Sequence, residues 1–117
     1  MSGDEEYPLL FADEEEEQRK LEQRYQRALT AARKAAELLK EEYGAEQVWI
    51  FGSLAEQERF NKWSDIDLAA RGIAPEKFYA AVGAVTGLVE EFKVDLIDID
   101  DCKESLAETV ENEGVEV

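Results

Sequence analysis

Apolar residues recur at steps of three and four through Leu21, Tyr25, Ala28, Ala32, Ala35 and Leu39. That spacing gives one apolar face to a helix predicted over residues 14–43. Acids crowd its start, which suits the positive end of a helix dipole. Gly44 is placed to end it as a left-handed cap. Such a helix is long for a small domain, so its first turns are expected to project or to pack on a partner. The pattern then changes. Val48-Trp49-Ile50-Phe51 is a short, continuous, β-prone run bounded by Gly52, and it reads as a buried strand. A short helix is predicted from Ser53 to about Arg59, a loop over 61–64, and a second strand over 65–70 ending at Gly72. Pro75 suits a first helical position. Phe78, Val82, Val85, Val89 and Phe92 repeat the four-three spacing as a second long helix. Residues 94–99 form a third strand. Asp101 with Glu104 is a candidate capping box before a last helix marked by Leu106 and Val110 and closed by Gly114. Val115 and Val117 add a short extended tail.

Strands alternating with helices, with no internal repeat, predict a small α/β (α+β) domain, its sheet flanked by helices. The 117 residues hold one domain, residues 13–117, after an acidic tail over 1–12 that is expected to be mobile. The patch Leu9-Leu10-Phe11 in that tail reads as part of a frayed terminus. One domain leaves no room for a separate substrate-binding domain. With 13 basic against 29 acidic residues, the formal net charge is −16. Such a field repels nucleic-acid backbones and favours divalent cations and basic protein surfaces. The single Cys102 excludes an internal disulfide, and the lack of histidine with it excludes a structural zinc site. No run of apolar residues is long enough to span a bilayer and no signal peptide is visible, so a soluble, cytoplasmic protein is expected. Trp49 and Trp63 read as core and loop anchors, and Cys102 as a small buried residue.

Asp65 and Asp67 stand two apart in a predicted strand, so both carboxylates point to one face. Alone, the pair reads more simply as a wet face of a sheet. Asp95 interrupts an apolar run at the start of the third strand and needs a partner, either solvent or the adjacent Lys93. Gly52-Ser53 lies at a strand–helix junction. There the backbone can approach a ligand, the helix offers N–H groups to phosphate, and Ser53 adds a hydroxyl. Singly such a junction is a common turn. Together, a phosphate cradle and three hard-oxygen ligands are the inventory of two-metal phosphoryl or nucleotidyl transfer.

The strings Val48-Trp49-Ile50-Phe51-Gly52-Ser53-Leu54-Ala55, Ser64-Asp65-Ile66-Asp67-Leu68 and Val94-Asp95-Leu96-Ile97-Asp98 resemble the minimal nucleotidyltransferase family, small members of the DNA polymerase β superfamily. The resemblance covers roughly residues 20–117, and the three strings together are far more specific than any one of them. It implies a mixed sheet with flanking helices, ATP or another nucleoside triphosphate as substrate, and Mg²⁺, with two ions expected. It implies Asp65, Asp67 and Asp95 as metal ligands and catalytic residues, Asp95 also helping to activate the incoming hydroxyl. Gly52, Ser53 and Ser64 are implied as nucleotide-binding. Family members often act as antitoxins beside a HEPN-domain protein, and those with an assigned activity transfer AMP to a tyrosine hydroxyl of that partner. A hetero-oligomer with a HEPN-domain toxin is therefore expected. One departure is visible: Glu56-Gln57 stands where the family usually has a basic residue and glycine. Arg59 and Lys62 are the candidates to restore the charge. The alternative reading is a binding module that neutralises a HEPN RNase by covering it, without chemistry. Transfer to a small molecule, a third class, is disfavoured by the missing second domain.

Overall fold

The structure, a computed structural model, describes residues 14–117 with their side chains and follows the helical backbone from Ser2. The tail and apolar patch expected over residues 1–12 lie outside the fully described residues. The elements run α1 (Ser2–Tyr43), β1 (Gln47–Phe51), β2 (Ile66–Arg71), α2 (Pro75–Leu88), β3 (Val94–Asp98), α3 (Glu104–Glu113) and β4 (Val115–Glu116), with 3₁₀ turns at Gly52–Ala55, Gln57–Arg59 and Ile99–Asp101. Gly44 takes φ +77°, the left-handed conformation that a C-cap requires.

The mixed sheet has the order β3-β2-β1-β4. β1 is antiparallel to β2 and β4, and β2 is parallel to β3. The parallel crossover is made by α2, as a parallel pair demands. The pleat sorts the side chains. Val48, Ile50, Ile66, Leu68, Ala70, Val94 and Leu96 face α1 and α2 in the main core with Ala28, Ala32, Ala35, Leu39, Ala81 and Val85. Trp49, Ala69, Ile99 and Val110 form a second, smaller core, with Leu106 and Ala107 packed against it. The alanine stripe of α1 is fully buried, which lets that helix lie close on the sheet. No helix among the described residues is long and apolar enough to cross a membrane.

Four expectations change. The segment after Gly52 is two single 3₁₀ turns separated by an extended Glu56, not one short helix. α2 ends at Leu88, so Val89 and Phe92 are buried as the chain turns into β3 rather than as helical residues. Two glycines, Gly83 and Gly87, weaken its last turns. The Asp101 capping box does not form: the residue before α3 is Lys103, with no side-chain cap. Asp98 instead accepts from the Asp100 N–H and starts the 3₁₀ turn. Finally, Val115–Glu116 is a fourth strand. The turn into it needs Gly114, because a Cβ there would drive into the Val110 carbonyl and lie 3.2 Å from the Ile50 carbonyl.

Candidate active site

One face of the sheet carries two successive cross-strand rows. In the first, Trp49 pairs with Ala69 and Ala69 with Ile97. It is apolar, and α3 packs over it through Val110 and Leu106. In the second, Phe51 pairs with Asp67 and Asp67 with Asp95. Register therefore does what sequence spacing cannot: it places carboxylates from two parallel strands side by side, just past the edge of the α3 core. Asp65 precedes β2 by one residue rather than lying within it. It is close enough to raise the pKa of Asp67.

Asp67 is the centre of the group. Its carboxyl is held above the ordinary carboxylate range, first by burial, then by repulsion from Asp95 and from Asp65; Lys93 opposes the shift. Its carboxylate lies against the Cα of Gly52. A Cβ on Gly52 would collide with Asp67 Oδ2 and sit 3.3 Å from Cγ, and Gly52 takes φ +71°. Both constraints demand glycine. The Gly52 turn and the central carboxylate Asp67 are thus in direct contact. Asp95 is exposed, with Lys93 Nζ 4.0 Å from its Oδ1. An exposed pair at that separation contributes little, so Lys93 does not neutralise the cluster.

Ser64 is buried, and its hydroxyl accepts the Asn61 N–H at 2.9 Å. Asn61 in turn accepts the Trp63 N–H through Oδ1 at 2.8 Å. Ser64 thus closes the loop that delivers Asp65. Trp63 is not an anchor: it is 77% exposed, with Lys62 Nζ 4.6 Å from its ring centroid. Trp49 is buried, as expected. Cys102 is half-buried and turned toward the Ile99 carbonyl at 3.5 Å. Of the two candidate replacement cations, Arg59 pairs with Glu56 itself at 3.6 Å and Lys62 lies on Trp63. The acid at position 56 is thereby partly offset.

One residue went unnoticed in the sequence. Arg24 lies on α1 between Leu21 and Ala28, a charge on the inward stripe, and that position was the available signal. Its guanidinium donates to the Ser64 carbonyl at 3.1 Å and lies 4.5 Å from the Phe92 ring centroid.

The donor set fits a divalent cation. All three side chains offer hard oxygens, the central one is raised by burial and then by like charge, and it keeps its place because Gly52 has no side chain. Among the described residues no three such groups converge as a ready-made cage. Mg²⁺ does not require one, since it commonly binds through one or two carboxylates plus substrate phosphates.

The raised pKa has a measurable consequence. Since the folded value lies above the unfolded one, Asp67 favours the fold fully below about pH 3.8, and that contribution is lost as pH rises through the folded value. In chelator at pH 7.5, Asp67→Asn is therefore expected to raise the Tm, modestly because the carboxyl is only half-buried and solvent screens it. The gain should vanish below pH 3.8. A thermal scan at both pH values checks it, and a lowered Tm at pH 7.5 would contradict the electrostatic account.

The family model described as polymerase beta, nucleotidyltransferase, matches residues 33–117. No curated protein sequence matches the chain. Among solved structures, a toxin–antitoxin complex with AMP-PNP contains a chain with TM-score 0.60 and 21% identity, over 73% of this chain and 70% of that one. The complex of a tri-AMPylated Shewanella oneidensis HEPN toxin with its MNT antitoxin gives TM-score 0.56 and 18% identity, over 76% and 70%. The MntA-HepT toxin–antitoxin complex gives TM-score 0.56 and 18% identity, over 75% and 69%. At these identities the likeness is one of fold. The family match spans both strand ends and the whole carboxylate row, and on that ground the chain belongs to the polymerase β nucleotidyltransferase family.

Proposed function

We propose that this chain is a metal-dependent adenylyltransferase, the antitoxin of a HEPN-type pair, which moves AMP from ATP to a tyrosine hydroxyl of its partner. The observation that carries the reading is the row Phe51–Asp67–Asp95 set against the left-handed Gly52. The similar complexes, one with AMP-PNP and one with a tri-AMPylated toxin, support the nucleotide and the acceptor.

The site residues divide the work. Gly52 and Ser53 receive the triphosphate, the glycine by close approach and the serine by its hydroxyl. Asp65 and Asp67 would hold Mg²⁺ with the phosphates, and Asp95 would share a second ion. Bound there, the cation would neutralise phosphate charge and lower the pKa of the acceptor hydroxyl. Asp95 takes up the acceptor's proton; with no histidine in the chain, an exposed carboxylate is the base at hand. The tyrosine oxygen forms a bond to the α-phosphorus, the bond from that phosphorus to the bridging oxygen breaks, and pyrophosphate leaves. The protein's contribution is placement and charge.

A second reading has one observation behind it. Exposed Glu56 beside the phosphate cradle, on a chain of net charge −16, suits a module that masks a basic RNA-cleaving surface without chemistry. Incubation with a HEPN-domain protein and α-labelled ATP separates the two. Label on a partner tyrosine is expected. A tight complex that stays unlabelled would overturn the enzymatic reading.

A further inference from the structure

The three carboxylates, Gly52 and Ser64 lie on the sheet or on the turns at its end. From α1, the Arg24 side chain reaches all three segments that build the site. Arg24 Nη2 donates to the Ser64 carbonyl at 3.1 Å. Ser64 is the residue before Asp65, and the adjoining Ile66 N–H donates to the Lys93 carbonyl at 3.0 Å. The Arg24 guanidinium carbon lies 4.5 Å from the centroid of Phe92, two residues before β3 and three before Asp95. It lies 6.0 Å from the centroid of Phe60, on the segment that leads from Gly52-Ser53 to the Asn61–Ser64 loop. Phe60 is pinned from its other neighbour by Tyr25 at 5.3 Å between centroids.

The cation itself is committed to this position. Arg24 Nε is buried and meets no acceptor among the described residues. A guanidinium left with an unmet buried donor stays only where its other contacts outweigh that loss. Those contacts are planar stacking and a charge-assisted hydrogen bond to a carbonyl, both particular to arginine. The neighbouring Arg27 differs, being exposed and paired with Glu91 at 2.9 Å.

We propose that Arg24 is a positioning residue: it clamps the start of β2 and the start of β3 together, and so sets the separation of Asp65 and Asp67 from Asp95. It touches none of the three carboxylates and acts through the Ser64 carbonyl and the Phe92 ring. The kinetic half of the inference rests on the adenylyl-transfer reading; the structural half does not.

The test uses the full chain with Arg24→Lys, which keeps the charge and a donor but loses the plane. A second variant, Phe92→Leu, keeps Arg24 and removes its platform. Amide hydrogen exchange is read at residues 64–67 and 93–96, with residues 35–39 and 48–50 as internal controls. Both variants are expected to lose about tenfold protection at the site segments and less than about twofold at the controls. In AMP transfer, kcat is expected to fall about tenfold or more while KM for ATP stays within about twofold, since placement rather than phosphate binding is lost. Unchanged exchange at 64–67 and 93–96 would overturn the proposal. So would equal loss at the control segments, which marks a general structural role. If the wild type transfers no AMP, the adenylyl reading fails, while the exchange pattern still decides whether Arg24 clamps the two strands.

Discussion

Replacing Asp65 and Asp67 together with asparagine is expected to cut AMP transfer by on the order of 10³-fold or more while leaving the fold intact. Asp67 sits half-buried beside Asp95 and near Asp65, so at neutral pH the folded protein holds like charges together at a cost. Asparagine relieves that repulsion with nearly the same shape. What it removes is the ability to hold a cation against phosphate oxygens. Stability and activity should therefore move in opposite directions, the variant being at least as stable as wild type and nearly inactive. A variant that loses activity by unfolding would show the reverse in a thermal scan. Rate measurements with labelled ATP, taken beside that scan, check both halves.

Gly52→Ala is expected to damage both properties. The alanine must adopt φ near +71°, which costs about 1–2 kcal/mol for a residue with a Cβ. The Cβ also meets Asp67 Oδ2, so the carboxylate must leave its place, adding about 1–2 kcal/mol of strain. A loss of about 2–4 kcal/mol corresponds to a Tm lower by roughly 8–16 °C. Activity should fall with it even at temperatures where the protein is folded, because the displaced group is the central carboxylate. The double variant Gly52→Ala/Asp67→Ala separates the causes. It is expected to regain the part of the stability due to collision, to keep the part due to backbone conformation, and to remain inactive. Strict additivity of the two single changes would argue against the close approach of Gly52 to Asp67.

The elements of this fold were legible where apolar periodicity was long or sharply bounded. The stripe from Leu21 to Leu39 and the run Val48–Phe51 each gave the right element, because burial on one face leaves no other solution. The misreadings arose where tertiary packing overrode local pattern. Val89 and Phe92 continue the helical spacing of α2, yet they are buried as the chain bends into β3. Val115 and Val117 were too short a signal to announce a strand, which exists because β1 offers an unpaired edge. Asp101 and Glu104 have capping-box spacing, but Asp98 had already taken the turn.

The site was legible in its residue types and only partly in its geometry. Asp65 and Asp67 reveal their shared face by period two. That Asp95 stands beside Asp67 is a matter of register across a helical crossover, and no local spacing encodes it. The dependence of Gly52 on the Asp67 carboxylate is invisible in the sequence for the same reason. Arg24 left a faint trace, a charge on the inward stripe of α1, whose meaning required knowing that Ser64 and Phe92 lie beneath it.

The central claim is that these carboxylates and Gly52-Ser53 make one cation-dependent nucleotide site. It is tested most directly by calorimetric titration of ATP into wild type and into Asp65→Asn/Asp67→Asn, each with Mg²⁺ and with chelator. Micromolar binding by wild type that requires Mg²⁺ and is absent in the double variant is the expected result. Equally tight binding by both proteins, or binding by wild type that is indifferent to Mg²⁺, would contradict the account.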